Sequence, residues 1–342
     1  MKMEKLILNQ ERNVSLVTMI QEVGGEFGSV VKRPAILVLP GGGYAMCSDR
    51  EAEPVALVYA KAGYQAFILR YSVGEHKDWP NPLNDYEQAM TLIRSKAEEW
   101  HIYEDKIAVI GFSAGGHLAA CAATISKNRP NAAILGYAAV EKKILDMLHP
   151  DLPIPGEHVD ARTCPCFLFA ARDDRTVGIE NTVNFELALN NENISFESHI
   201  YAYGGHGFST GEDSLAISKM CSRLPHWVQD SIEWLGDIFG KFGDKAMTQP
   251  ACPGKVGFDR EPKLSVYCTV GHLKKQNPET LALLAAVFAQ LDAVVGSYKE
   301  KGMDISGYVQ NERLQDLLQI IKVPQEQIDQ LDAGLAQIAN IF

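Results

Sequence analysis

The chain has 342 residues, 46% hydrophobic and 22% charged, the composition of a globular protein with room for a sizeable core and not of a disordered or membrane-embedded chain. Its 43 acidic and 32 basic side chains leave a formal net charge of −11, which argues against nucleic acid as the main partner, because phosphate binding rests on a basic surface. Length alone allows one large domain, or a domain with an appendage.

The first residues, MKMEKLILNQ, place Glu4 soon after the lysines and reach Gln10 and Glu11 before a long apolar run can build. No signal peptide is expected from them. No stretch approaches the roughly 18 consecutive apolar residues of a membrane span, so a cytoplasmic protein without membrane attachment is expected. Cys47, Cys121, Cys164, Cys166, Cys221, Cys252 and Cys268 are an odd number spread along the chain, unlike a disulfide scaffold. Cys164-Pro165-Cys166 lacks further ligands at metal spacing, so the expectation is reduced structural thiols and no metal.

Short β-type runs alternate with helical stretches up to about residue 240, the pattern of a mostly parallel sheet covered by helices on both faces. Ala35 to Leu39 predicts a buried strand ending at Pro40 and a glycine cluster, and Tyr64 to Tyr71 predicts another, with a helix from Glu51 to Ala62 between them. Met90, Ile93, Ala97 and Trp100 give helical spacing over residues 84–100. A strand at Ile107 to Ile110 leads into an Ala-rich helix from Ala114. Strands at Ala132 to Leu135, Cys166 to Ala170 and Phe196 to Tyr201 follow, with helices near Ile179 to Leu189 and His226 to Phe239. Such repeated order predicts right-handed crossovers and chemistry in the loops beyond the carboxyl ends of the strands.

Gly and Pro then break every period, so that residues 1–242 read as the principal domain and 243–277 as a connector. Residues 278–342 read as a helical appendage. Asn277 and Pro278 start a helix over Thr280 to Val295, with Leu284, Phe288, Leu291 and Val295 on one face; Tyr308 to Ile321 predicts a second helix. Pro324 opens a third, with Ile328, Leu331, Leu335 and Ile338 on one side. These stripes need a surface: one another, the first domain or a second subunit. The near-neutral charge of this end makes it the expected contact of a homo-oligomer.

Gly111-Phe112-Ser113-Ala114-Gly115 lies between a strand and a helix, the placement of a nucleophile elbow. There a serine projects from a sharp strained turn, and flanking glycines remove the Cβ atoms that would collide across it. A serine hydroxyl needs a base within hydrogen-bond reach and a third group to orient that base. In an α/β-hydrolase fold the order is serine, acid, histidine. His206, in Gly204-Gly205-His206-Gly207-Phe208, follows the last strand as the base. The acid comes from Arg172-Asp173-Asp174-Arg175, where Asp174 is preferred for its Asp-x-x-Val spacing and Asp173 stays open as a turn former or alternative acid. Pro40-Gly41-Gly42-Gly43-Tyr44, after the early strand, is positioned to supply an oxyanion hole from the N–H groups of Gly42, Gly43 and Ala114. It lacks the Gly-Lys-Ser/Thr ending of a phosphate loop and the dinucleotide fingerprint, so no cofactor is expected.

Together PGGGY, GFSAGGHLA, the Asp-Asp loop and GGHGF resemble the bacterial esterase/lipase branch of the α/β-hydrolase superfamily, acetyl-xylan esterases and feruloyl-esterase-like proteins among them. The resemblance spans roughly residues 30 to 240, leaving out the last hundred. It implies a carboxylester hydrolase that removes small acyl groups from a sugar or similar alcohol without a cofactor. Pro40 stands where the glycine loop of lipases commonly begins with histidine, which puts the donor set in question. Similar sequences are sometimes labelled xylanases, but that chemistry needs two opposed carboxylates, and no such pair stands out. His117 is expected to pack or hydrogen-bond beneath the site. Trp79, Tyr44 and Phe208 are candidates to line the cleft or to belong to the core.

The expected substrate is a small-molecule ester with a short acyl chain, since residues 137–165 show no long apolar lid. A serine peptidase of the same fold is the alternative within enzymes, though such peptidases commonly carry a large amino-terminal domain. From another class comes a non-catalytic binding protein working through its helical tail, against which the intact triad argues.

Overall fold

The computed structural model describes residues 1–342 apart from 216–218, 253, 260 and 342; Pro253 and Arg260, in the expected connector, therefore lie outside the described residues. By contacts the chain divides into two compact units, Met1–Gly254 and Lys255–Phe342.

The first unit opens with two strands that the sequence did not reveal, β1 (Lys2–Asn9) and β2 (Val14–Ile20), paired antiparallel. β1 is largely exposed and β2 largely buried on both faces, so neither carries the alternation that marks a half-buried strand. Then come β3 (Arg33–Leu39), α1 (Glu53–Lys61), β4 (Gln65–Arg70), α2 (Asn81–Ser95), β5 (Ile102–Phe112), α3 (Ala114–Thr124), β6 (Ala132–Gly136), α4 (Lys142–Leu148), β7 (Cys166–Ala171), α5 (Glu180–Asn191), β8 (Phe196–Tyr201) and α6 (His226–Phe239). They form an eight-stranded sheet of order β1-β2-β4-β3-β5-β6-β7-β8, parallel from β4 to β8. β2 pairs β4 antiparallel.

One side of the sheet buries Tyr86, Met90 and Ile93 of α2, Leu118 of α3 and Phe185 of α5. The other buries Val55 and Tyr59 of α1 with Trp227, Trp234 and Leu235 of α6. There Trp227 stacks on Phe169 at 4.0 Å between ring centroids. The strand β3 leads to β4 on one flank, and the chain then returns to place β5 on the other. The carboxyl ends of β3 and β5 thus form the crevice where the strand order reverses, the place where open α/β sheets bind ligands.

The second unit holds α7 (Val270–Leu273), α8 (Pro278–Glu300), α9 (Ser306–Asn311), α10 (Leu314–Ile320) and α11 (Gln325–Leu335). Asn277 caps α8 through its side chain, which accepts from Thr280 N at 2.9 Å. The apolar stripes bury against one another: Leu284, Phe288 and Leu291 share a core with Leu314, Leu318, Ile328 and Leu335. Residues 255–277 are packed into it as well, through Leu264, Val266, Cys268, Val270 and Leu273. Burial against one another is thus one of the arrangements expected for the stripes. The helix expected over residues 308–321 is two helices, because the backbone between them pairs elsewhere: Val270 N donates to Glu312 O, Leu314 N to Cys268 O and Gln315 N to Val266 O. Although no long unbroken apolar run exists, α8 is long and apolar enough, by length and composition, to cross a membrane.

Candidate active site

β5 ends at Phe112 and α3 starts at Ala114, which leaves Ser113 alone at the corner with φ 52° and ψ −117°. A non-glycine residue there is strained and persists because its surroundings over-determine it. Ser113 N donates to Gly136 O at 3.0 Å and Ser113 O accepts from Ala139 N at 3.1 Å. The flanking glycines allow the close approaches: a Cβ on Gly111 would lie 2.0 Å from Gly115 O, and one on Gly115 would lie 2.2 Å from Leu39 O.

His206 reaches this serine from the loop after β8, between Gly205 at φ 65° and Gly207 at φ 74°. Its Nδ1 is 2.6 Å from Asp174 Oδ2 and its Nε2 is 2.9 Å from Ser113 Oγ. Ionised carboxylates only accept, so Nδ1 carries the proton and Nε2 is left to accept from the serine hydroxyl. The Asp174 side chain is fully buried, that of His206 one-fifth exposed. The second oxygen of Asp174 accepts from Thr176 N and Val177 N, each at 2.9 Å. The alternative acid, Asp173, does not meet the histidine. Asp173 Oδ1 accepts from Gly204 N and Gly205 N at 2.9 Å each, and these bonds, that of Gly205 foremost, hold its carboxyl below the usual range.

The Gly41–Tyr44 loop follows β3 on the opposite side of the serine. Gly41 N donates to Glu51 Oε2 at 2.9 Å, Tyr71 OH donates to Pro40 O at 2.6 Å, and Gly42 O accepts from Ala45 N at 3.0 Å. Gly42 and Gly43 have positive φ, 127° and 62°. Among the described residues their N–H groups and that of Ala114 meet no protein acceptor. Ala114 is the first residue of α3, so its N–H is one of the helix-end donors that lack an internal partner.

His117 lies beneath this loop, entirely buried. Its Nε2 donates to Pro153 O at 2.9 Å, leaving Nδ1 to accept from Tyr44 OH at 2.7 Å. Burial pushes its pKa down to about 4. The unfolded chain therefore binds a proton more readily than the folded one below the ordinary histidine value. This contribution is present in full above about pH 6.5 and is lost as pH falls through about 4, amounting to about 3 kcal/mol. A His117→Gln variant does not titrate there, so the urea-stability gap between wild type and variant should shrink from pH 7 to pH 4.5; a constant gap would show that His117 titrates normally.

Of the two places left open for the loop aromatics, cleft or core, Tyr44 and Phe208 take the core. Tyr44 and Phe208 are wholly buried, Phe208 against Tyr137 and Phe169, and Trp79 packs edge-on to His117. Instead the cleft over Ser113 and His206, about 340 Å³, is walled by Gly43, Ala139, Ile144, Leu148 and Val177. Met46 is shared with a second hollow of about 830 Å³. That hollow is lined by Lys5, Arg12 and Arg70 and by Glu11, Glu53 and Glu75, so its fixed charges balance. Among the described residues no disulfide joins any of the cysteines, and no cluster of His, Cys, Asp and Glu could hold a metal ion.

Three residues near the site gave no sequence signal. Glu51 read as a first-turn helix acid, yet it ends a short 3-10 turn and is buried. Tyr137 packs edge-on to His206, with ring centroids 5.0 Å apart. Arg50 Nη1 donates to Gly207 O at 3.0 Å and Leu215 O at 3.1 Å.

Residues 28–150 match the family described as BD-FAE. An α/β-hydrolase enzyme from a Medee basin deep-sea metagenome library, of known crystal structure, is 41% identical with a TM-score of 0.65, over 70% of this chain and 98% of that one. The chain belongs to the α/β-hydrolase family. It is also 31% identical to endo-1,4-beta-xylanase B of Butyrivibrio fibrisolvens, over 54% of this chain and 34% of that protein. With the acetylxylan esterase of Xylanibacter ruminicola it shares 29% identity, over 57% of this chain and 45% of that protein. The chain thus spans less than half the length of these two curated relatives.

Proposed function

We propose that the protein is a serine carboxylester hydrolase that works through an acyl-enzyme on short acyl esters of a polyhydroxylated alcohol, acetylated sugars above all. The observation that carries this is the continuous hydrogen-bonded line from Asp174 through His206 to Ser113. In this reading Ser113 Oγ attacks the ester carbonyl as His206 Nε2 takes its proton, and Asp174 stabilises the resulting imidazolium. The N–H groups of Gly42, Gly43 and Ala114 meet the oxyanion, helped by the amino end of α3. His206 then protonates the departing alcohol, and a water activated by the same nitrogen releases the acid.

The small cleft with aliphatic walls supports a short acyl group. The charge-balanced hollow across Met46 supports a neutral, hydroxyl-rich alcohol. Likeness to an acetylxylan esterase points the same way. Glycoside cleavage, suggested by the name of the xylanase relative, would require two carboxyl groups free to flank a glycosidic bond. Among the described residues the one carboxyl group lining the cleft, Glu51, is engaged with Gly41 and Tyr137, and that of Asp174 behind it with His206.

Nitrophenyl esters from acetyl to long acyl, run beside acetylated xylooligosaccharides and an aminopeptidase substrate, test the reading. Acetyl esters should be turned over fastest, with kcat/KM falling as the chain outgrows the cleft. Preferential cleavage of the peptide substrate, or of long acyl chains, would overturn it.

A further inference from the structure

We infer that Glu51 is a positioning residue that holds the oxyanion loop and the histidine loop in one arrangement; the inference rests on the serine-hydrolase reading above. Glu51 is 3% exposed, and burying a carboxyl group is unfavourable unless its oxygens are well met. Here both are met by neutral donors, and each donor belongs to a different side of the active site.

Oε2 accepts from Gly41 N at 2.9 Å. The approach is so close that a Cβ on Gly41 would lie 2.6 Å from Oε2. Gly41 O in turn accepts from Ser48 N at 2.9 Å. The peptide entering the glycine loop is thereby fixed, and with it the direction of the following N–H groups of Gly42 and Gly43. Without this anchor the loop could turn those donors away from the serine.

Oε1 accepts from Tyr137 OH at 2.6 Å. The hydroxyl proton being committed to Glu51, the same oxygen accepts from Ser209 N at 3.0 Å, three residues beyond His206, while the Tyr137 ring packs on the imidazole. Ser209 Oγ donates to Arg50 O, and Arg50 donates to Gly207 O. One short segment, residues 48–51, thus grips the loop after β3 and the loop after β8, with Glu51 the side chain common to both. Glu51 takes no proton from the substrate, and its effect passes through the N–H groups of the glycine loop and through Tyr137.

The test is kinetics on Glu51→Gln, Tyr137→Phe and the double variant with nitrophenyl acetate, rates being expressed per active site titrated with a phosphonate so that unfolded protein is not counted. Inhibition by a boronic acid that forms a tetrahedral adduct on the serine reads the oxyanion donors separately. Glu51→Gln keeps one accepting oxygen and loses the other; kcat per titrated site should fall about 100-fold, as when an oxyanion donor is lost, with KM within about threefold and boronate affinity falling in parallel. Glu51→Ala should be slower still. The two single changes should combine non-additively, as expected of residues in one network. A wild type without ester turnover would overturn the serine-hydrolase reading and this inference together. With a working wild type, a Glu51→Gln kcat per titrated site within threefold of normal, or unchanged boronate affinity, would overturn the inference alone.

Discussion

Replacing Ser113 by alanine should lower kcat about a million-fold, because nucleophile and base act as a unit and the remaining donors retain only the residual acceleration of binding and oxyanion stabilisation. The fold should survive. The strained corner is held by the main chain, through Gly136 O and Ala139 N, and by the room that Gly111 and Gly115 leave, none of which needs the hydroxyl. A phosphonate ester should add its mass to the peptide containing Ser113 in wild type and to no peptide in the variant. Robust turnover by Ser113→Ala, or labelling of another serine, would remove Ser113 from the role of nucleophile.

That corner was legible in the sequence because its chemistry is local. A serine between glycines, after an apolar run and before an Ala-rich helix, has few other uses. The helix that follows begins at Ala114 as expected, the strand before it contains the expected Ile107 to Ile110 but runs from Ile102 to Phe112, and β8 and α6 match their expected bounds. The neighbouring support was not legible, because its residues depend on contacts made across the fold. Glu51 and Tyr137 are 86 residues apart, and nothing near either in the chain distinguishes a buried acid from a first-turn acid, or a tyrosine beneath a histidine from one in a core. Tyr44 and Phe208 could not be placed from the sequence for the same reason: loop aromatics next to the triad serve equally as cleft or core, and only the fold shows them turned inward to hydrogen-bond His117 and to pack on Tyr137. The second unit shows the same limit. Three helical periods were readable, but the break at Glu312 and Arg313 comes from pairing with residues 266–270, and a helical period cannot announce a pairing partner so far back in the chain.

The two adjacent aspartates make a sharper test of the mechanism than the serine does, since they share charge and size and differ only in what they hold. Asp174→Asn should lower kcat about ten-thousand-fold, the cost of leaving a triad histidine in the wrong tautomer. The reason lies in the partners: the substituted side chain would keep its carbonyl oxygen on the N–H groups of Thr176 and Val177 and turn its amide toward His206. An amide donor facing Nδ1 forces the ring proton onto Nε2, where it points at Ser113 and cannot accept the hydroxyl proton. Asp173→Asn should behave differently, because one carbonyl oxygen suffices to accept from both Gly204 N and Gly205 N. The loop that carries His206 should stay in place, and kcat should remain within about tenfold of wild type, since neutral hydrogen bonds replace charge-assisted ones at an exposed position. Measured kcat for the two variants, with their stabilities checked by urea unfolding, decides the matter: a larger loss at Asp173 than at Asp174 would move the orienting role to Asp173 and contradict the hydrogen-bonded line on which the proposed function rests.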